Sequence, residues 1–309
     1  MSAIVEIWLN SDNRNVGAPA ATMRLASALE AKQNIAVRRI HLSKGIKTPI
    51  DSDVTFAIGS HFTHPLTQRA SRGLFWVHNA NHLSAERAQG VESRSPGWVT
   101  AGCSQMVASG ISKNAIALHP IVEVPRAKVL PLNFSKALGE LEKFDEIFLC
   151  PGGDTFVKGA AQVLRWAESR PSSGFLVTEG VWGKRDNDSI SAMRELPNIA
   201  FARRLDFSKT VFDSVNAVLT SSPSEGFNMT AAEATINGTP VIAGDWLSAP
   251  LTEATMGTAV FSGTDELTVE VPEAPKVKTA LKKREAKELK MLISLIMNNT
   301  LTDRIEEEE

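Results

Sequence analysis

The segment from Ala217 to Asp245 limits the fold of this chain more than any other. Ala217-Val218-Leu219 is an apolar run of strand length and strand composition. Turn-forming residues follow from Ser221 to Phe227, and then a helix-compatible run covers 229–236. Gly238 stands where a helix C-cap glycine belongs, and Pro240 follows two residues later. Val241-Ile242-Ala243 predicts a second buried parallel strand. This strand–loop–helix–strand unit sets the loop at the carboxyl end of a strand, where open α/β sheets bind ligands.

The rest of the chain repeats the alternation. Strands are predicted at 4–9, 35–41, 54–59, 74–78, 98–101 and 115–119, with helical spacing of apolar residues over 20–31. Residues 125–145 break the pattern with Pro125, Pro131 and scattered charge, and read as a linker. A new series then opens: strand 147–150, helix 158–168, strand 175–178, helix 189–195, strand 199–201 and helix 208–214. Strands alternating with helices predict an α/β protein of two Rossmann-like, doubly wound parallel-sheet domains facing a cleft, at 1–124 and 146–309. At 309 residues the chain has the length for two such domains. The helical pattern over 275–305 has an apolar stripe (Leu281, Leu289, Leu292, Ile293, Ile296) and lysine-rich faces. It is expected to pack on the second domain with its charged face in solvent.

The loop carries chemistry. Backbone N–H groups of Gly226, Phe227 and Asn228 would point out of a helix N-terminus, a ready phosphate site. Glu225 and Glu233 flank them with seven residues between. Carboxylates among phosphate donors would repel the ligand, unless they accept hydrogen bonds from sugar hydroxyls while the amides take the phosphates. A nucleotide sugar offers both groups.

Glu225-Gly226-Phe227, Glu233-Ala234 and Gly238-Thr239-Pro240-Val241-Ile242 resemble the E-x7-E signature of retaining glycosyltransferases with the GT-B fold, family 4 and its glycogen-synthase relatives in particular. The resemblance implies a metal-independent transferase, with a nucleoside-diphosphate sugar such as UDP-glucose or a GDP-sugar as substrate and no separate cofactor. It gives Glu233 the ribose hydroxyls, Glu225 the sugar hydroxyls, and Gly226 to Asn228 the phosphates. Asn228 stands where the family often has glycine. Gly152-Gly153-Asp154-Thr155-Phe156-Val157-Lys158-Gly159 resembles the family's donor-phosphate loop, in which Lys158 neutralises the diphosphate. The arginine usually five residues before that lysine is replaced by Gly153; Arg203, Arg204 and Lys184 are candidate substitutes. Trp76-Val77-His78-Asn79 resembles a segment whose histidine contacts the transferred sugar. Residues 10–17 match the family's first glycine-rich loop only through Gly17, by the donor phosphates or the acceptor.

Other features point away from alternative chemistries. Cys103 and Cys150 are the two cysteines, too few for a disulfide framework or a metal cluster, and read as buried thiols. His61 and His64 have no third ligand at suitable spacing and read as acceptor contacts or lining. Asp51-Ser52-Asp53 and Asp186-Asn187-Asp188 read as turns, not as metal sites, and Ser104 as a helix N-cap. The formal net charge of -2 gives no bulk attraction to a polyanion. With no apolar run of about 18 residues, a cytoplasmic protein is expected. The acceptor is expected to be a saccharide or glycan. Arg69, Arg72, Arg87 and Arg94 leave a modified DNA base as the lesser alternative, and a degenerate, non-catalytic nucleotide-sugar binder is the competing class.

Overall fold

The computed structural model describes residues 3–9, 17–41, 54–59, 70–78, 86, 88–91, 93, 95–181, 183–203, 207–267 and 277–298. Arg204, the Asp51–Asp53 run, His61, His64, Asn79, Arg69, Arg87 and Arg94 lie outside them. The chain forms two compact units: 1–121 together with 281–309, and 122–280.

The first unit holds a six-stranded sheet, parallel throughout, ordered β2-β1-β3-β4-β5-β6. Its strands are β1 (Ala3–Leu9), β2 (Ile35–His41), β3 (Phe56–Gly59), β4 (Gly73–Val77), β5 (Trp98–Gly102) and β6 (Ile116–Ala117). β3 and β4 are buried at every position, as expected when both faces of a parallel sheet are covered. Helix α1 (Gly17–Glu30) lays Ala21, Leu25, Ala26 and Leu29 into a core with Val5, Ile7, Ile58 and Leu74. These helix positions recur at the spacing that one helical face requires. Helix α2 (Gln105–Ile111) starts at Ser104, whose side chain accepts the Val107 N–H, the capping role its sequence predicts.

The second unit holds another parallel six-stranded sheet, ordered β12-β11-β10-β7-β8-β9. The strands are β7 (Glu146–Cys150), β8 (Ser173–Thr178), β9 (Ile199–Ala202), β10 (Ala217–Thr220), β11 (Val241–Gly244) and β12 (Val260–Ser262). The chain runs outward from β7 to β9, returns to β10 on the other side of β7, and continues to β12. Strand order therefore reverses between β7 and β10, the switch point at which open sheets bind ligands. One face of this sheet is covered by α3 (Leu132–Glu140), α6 (Lys209–Asp213), α7 (Met229–Asn237) and α8 (Ser248–Thr255). The other carries α4 (Ala160–Ser169) and α5 (Asn187–Arg194).

Two expectations about boundaries change. The residues read as a linker contain α3, and Phe134, Ala137 and Leu141 are buried in the core of the second unit. Pro131 precedes that helix instead of breaking it, because a fixed φ near −60° suits a helix start. The C-terminal helix α9 (Val277–Asn298), expected on the second domain, packs from Leu281 onward with the first unit. Leu292 and Ile296 join the core around Val5 and Leu74. Glu288 accepts the His119 N–H at 2.8 Å and pairs with the His119 ring at 2.6 Å. Arg72 donates to the Leu295 carbonyl, a cation at the helix's C-terminal end. Among the described residues no helix is long and apolar enough to cross a membrane.

Candidate active site

Two loops meet at the switch point of the second unit: 151–159 after β7, and 221–228 after β10. Ser221 Oγ donates to the Lys158 carbonyl at 2.7 Å, which ties them together. Gly159 is required at this junction twice over. Its φ of +74° is left-handed, and a Cβ there would stand 1.9 Å from the Ser221 carbonyl oxygen.

The side chains meet at Glu225. Its Oε1 accepts from Lys158 Nζ at 2.6 Å, from Ser222 Oγ at 2.7 Å and from Asn228 Nδ2 at 3.3 Å. Among the described residues all its hydrogen bonds fall on Oε1 and none on Oε2. The Glu225 side chain is 10% exposed and that of Lys158 is 37%; the carboxylate is walled in and the ammonium reaches solvent. A buried carboxylate needs such donors, because its desolvation is otherwise uncompensated.

Asn228 is the hinge of this arrangement. It is the N-cap of α7, with φ −89° and ψ 98°, and its Oδ1 accepts the Ala231 N–H at 2.9 Å. Its other end reaches Glu225, so one amide holds both the helix start and the carboxylate. The far end of α7 closes in a Schellman arrangement: Gly238 N–H donates to the Thr235 carbonyl, and Thr239 N–H to the Ala234 carbonyl. Glu233 lies on α7 between these caps, half-buried, and Gly226 and Phe227 are buried in the loop before it.

The β7 loop is held from the opposite side. Gly152 N–H donates to Thr178 Oγ1 at 3.1 Å. A Cβ on Gly152 would lie 3.2 Å from Lys158 Cγ, so Gly152 and Lys158 are neighbours. Asp154, 1% exposed, accepts the Gly180 N–H and pairs with Arg185 Nε at 3.1 Å. Phe156 N–H donates to the Lys184 carbonyl.

Of the candidates named from sequence, Lys158, Glu225 and Asn228 are in direct contact, with Gly152 beside Lys158. Gly153 is different. A Cβ there would sit 3.2 Å from both Cys150 Cβ and Val163 Cγ2, so a side chain at this position starts into the core. Of the substitute cations, Arg203 is exposed at the end of β9, the edge strand. That is two strand spacings from β7, roughly 10 Å. Lys184 and Arg185 flank the β7 loop directly. Ser222, Asp154 and Arg185 were not singled out from sequence. Only a strand-order argument, placing the ends of β7, β8 and β10 together, could have suggested them.

In the first unit, Gly17 opens α1 and His78 follows β4. His78 is half-buried, with its ring 4.2 Å from that of Trp76, and its carbonyl accepts from Cys103 Sγ. Asp186 caps α5, accepting from the Ser189 N–H and hydroxyl, in keeping with a turn. Burial pushes the Cys150 thiol far up, so it stays protonated and inert.

Two six-stranded parallel sheets with interleaved helices define the GT-B architecture of glycosyltransferases. No protein-family model and no curated protein matches this chain. Solved structures do. HepE of Anabaena, in complex with UDP-glucose, superposes with a TM-score of 0.61 at 12% identity, over 95% of this chain and 93% of its own. AviGT4, a glycosyltransferase involved in avilamycin A biosynthesis, gives 0.62 at 13% identity, over 95% and 97%. A sucrose-phosphate synthase from Thermosynechococcus elongatus gives 0.62 at 15% identity, over 96% and 93%. The likeness covers the whole fold, and at these identities it is a likeness of fold.

Proposed function

We propose that this protein transfers a sugar from a nucleoside-diphosphate sugar to an acceptor hydroxyl, most simply on a saccharide, with retention of configuration and without a metal ion. The observation that carries the reading is the contact between Lys158 and Glu225 at the switch point. A cation reaching solvent and a carboxylate whose hydrogen bonds fall on one oxygen suit a ligand that has both phosphates and hydroxyls. The fold shared with HepE, whose structure holds UDP-glucose, supports the same ligand class.

In this reading Lys158 and the amides of Gly226 to Asn228 take the diphosphate, Glu225 Oε2 takes sugar hydroxyls, and Glu233 takes the ribose. The bond from the sugar's anomeric carbon to the diphosphate breaks, and the diphosphate keeps the electron pair. The acceptor oxygen bonds to that carbon from the same face, and its proton passes to the departing phosphate. The transition state has oxocarbenium character. Fixed amides and Lys158, aimed at the charge growing on the diphosphate, supply most of the acceleration. For His78, in the first unit, a sugar contact rests on the resemblance alone.

Gly153 favours a second reading. Its outward vector points at Cys150 and Val163, each 3.2 Å from where a Cβ would stand, so a side chain there would start toward the core and not beside Lys158. Glycine in place of the arginine that the resemblance leads one to expect suits a nucleotide-sugar binder that no longer turns over. Turnover separates the two. We expect the wild type to consume one member of a panel of UDP- and GDP-sugars, and Lys158→Met to be slower by about a hundredfold or more. Product NMR should show the donor's anomeric configuration. Wild-type turnover in the Lys158 variant, or an inverted product, would sink the mechanism; binding without turnover would establish the second reading.

A further inference from the structure

We propose that the Asn228 side chain is the positioning residue that keeps Glu225 aligned for the sugar once a diphosphate has drawn Lys158 away. The inference rests on the nucleotide-sugar reading for its function, but its physical core is independent of any ligand. Glu225 Oε1 has three donors of unequal permanence. Lys158 is the mobile one: its ammonium is part-exposed, and a diphosphate carries more negative charge than one carboxylate. Lysine binds phosphate as a point charge on a flexible stem, so it can turn toward the ligand at little cost.

Ser222 and Asn228 cannot follow it. They are 1% and 9% exposed, and both side chains are uncharged, so a diphosphate draws on neither as it does on an ammonium. Ser222 is anchored further by Trp246, whose indole N–H donates to the Ser222 carbonyl at 2.9 Å. Asn228 is fixed more firmly, because rotating its amide would break the cap to Ala231. Its bonds to Ala231 and Glu225 gear the carboxylate to the first turn of α7, and its Nδ2 donates to Thr220 Oγ1 at 3.5 Å as well. The same helix presents its N-terminus to the phosphates and carries Glu233. Asparagine is suited here because it accepts at one end and donates at the other. Serine and aspartate also cap helices, but serine is too short to reach Glu225, and aspartate offers it an acceptor.

Two measurements test the proposal. The first needs no ligand: a double-mutant cycle on melting temperature with Asn228→Ser, Glu225→Ala and the double variant. Gearing predicts that the double variant melts higher than the summed losses imply, since the contact is lost once. Additive losses would overturn it. The second compares affinities for UDP-glucose and UDP in wild type, Asn228→Ser and Asn228→Asp. In both variants the UDP-glucose to UDP affinity ratio should fall about tenfold, the worth of one charged hydrogen bond, whatever happens to the affinity for UDP itself. An unchanged ratio in both variants would overturn the role in sugar recognition. If wild type binds neither compound, the UDP-sugar form of the functional reading fails, and the cycle still decides the gearing.

Discussion

Lys158 and Glu225 explain each other. A lone carboxylate in a phosphate site would repel its ligand, and a lone, half-exposed lysine would be an unremarked surface residue. At 2.6 Å they form a charge-assisted bond that holds both in place. Asp213 gives this scale its test of pH dependence. Donation from Lys209, and then from Asn237 at the end of α7, holds the Asp213 carboxyl below its ordinary value of 3.8. A depressed carboxylate pKa stabilises the fold above the ordinary value, and that contribution is lost as pH falls through the folded one. Asp213→Asn should therefore melt below wild type at pH 6, and the gap should close as pH drops below about 3.8. The Asp213 side chain is 47% exposed, so the gap should be small, under about 1 kcal/mol. A gap that persists undiminished at pH 3 would show that the charge is not its source.

At the scale of elements, the regular stretches were legible because burial on both sheet faces demands unbroken apolar runs. β10, α7 and β11 lie within a residue of where Ala217–Leu219, 229–236 and Val241–Ala243 put them. The caps were legible too, because Ser104 and Gly238 have local jobs that local sequence can state. What was missed is non-local or short. β12 is three residues long, and α3 was hidden by Pro131 and its surrounding charges. The amphipathic stripe of α9 showed that it packs but not on what. That is decided by Arg72 and His119, far away in the chain. Within the site, Glu225, Lys158 and Asn228 were named from sequence; Ser222 and Arg185 act through loops that meet only when strand order is known. The placement of α9 can be checked directly. Leu292 is fully buried with Ile296 against the first sheet. Leu292→Ala should cost about 2–5 kcal/mol, with the loss of amide protection appearing in β1 and β4. Loss of protection confined to 122–280 would contradict the packing.

Over the whole molecule, two parallel sheets each present one row of carboxyl ends, and in the second unit those of β7 and β10 carry the paired loops. The fold is shared along nearly the full length of HepE and AviGT4 while identity stays near one residue in eight. A fold kept at such divergence leaves function to the residues at the strand ends, since one architecture hosts many activities. The proposed function sets a nucleoside-diphosphate sugar on the loops after β7 and β10, with Glu233 on its ribose. The measurement that tests it most directly is thermal unfolding of wild type and Glu233→Ala against UDP, GDP and UDP-glucose. A ligand at a hundred times its dissociation constant stabilises a fold by about 2.7 kcal/mol, which is a rise of several degrees in melting temperature. The account predicts that rise for at least one of the three ligands in wild type, and its loss in Glu233→Ala. No shift with any of them, or an equal shift in both proteins, would contradict it.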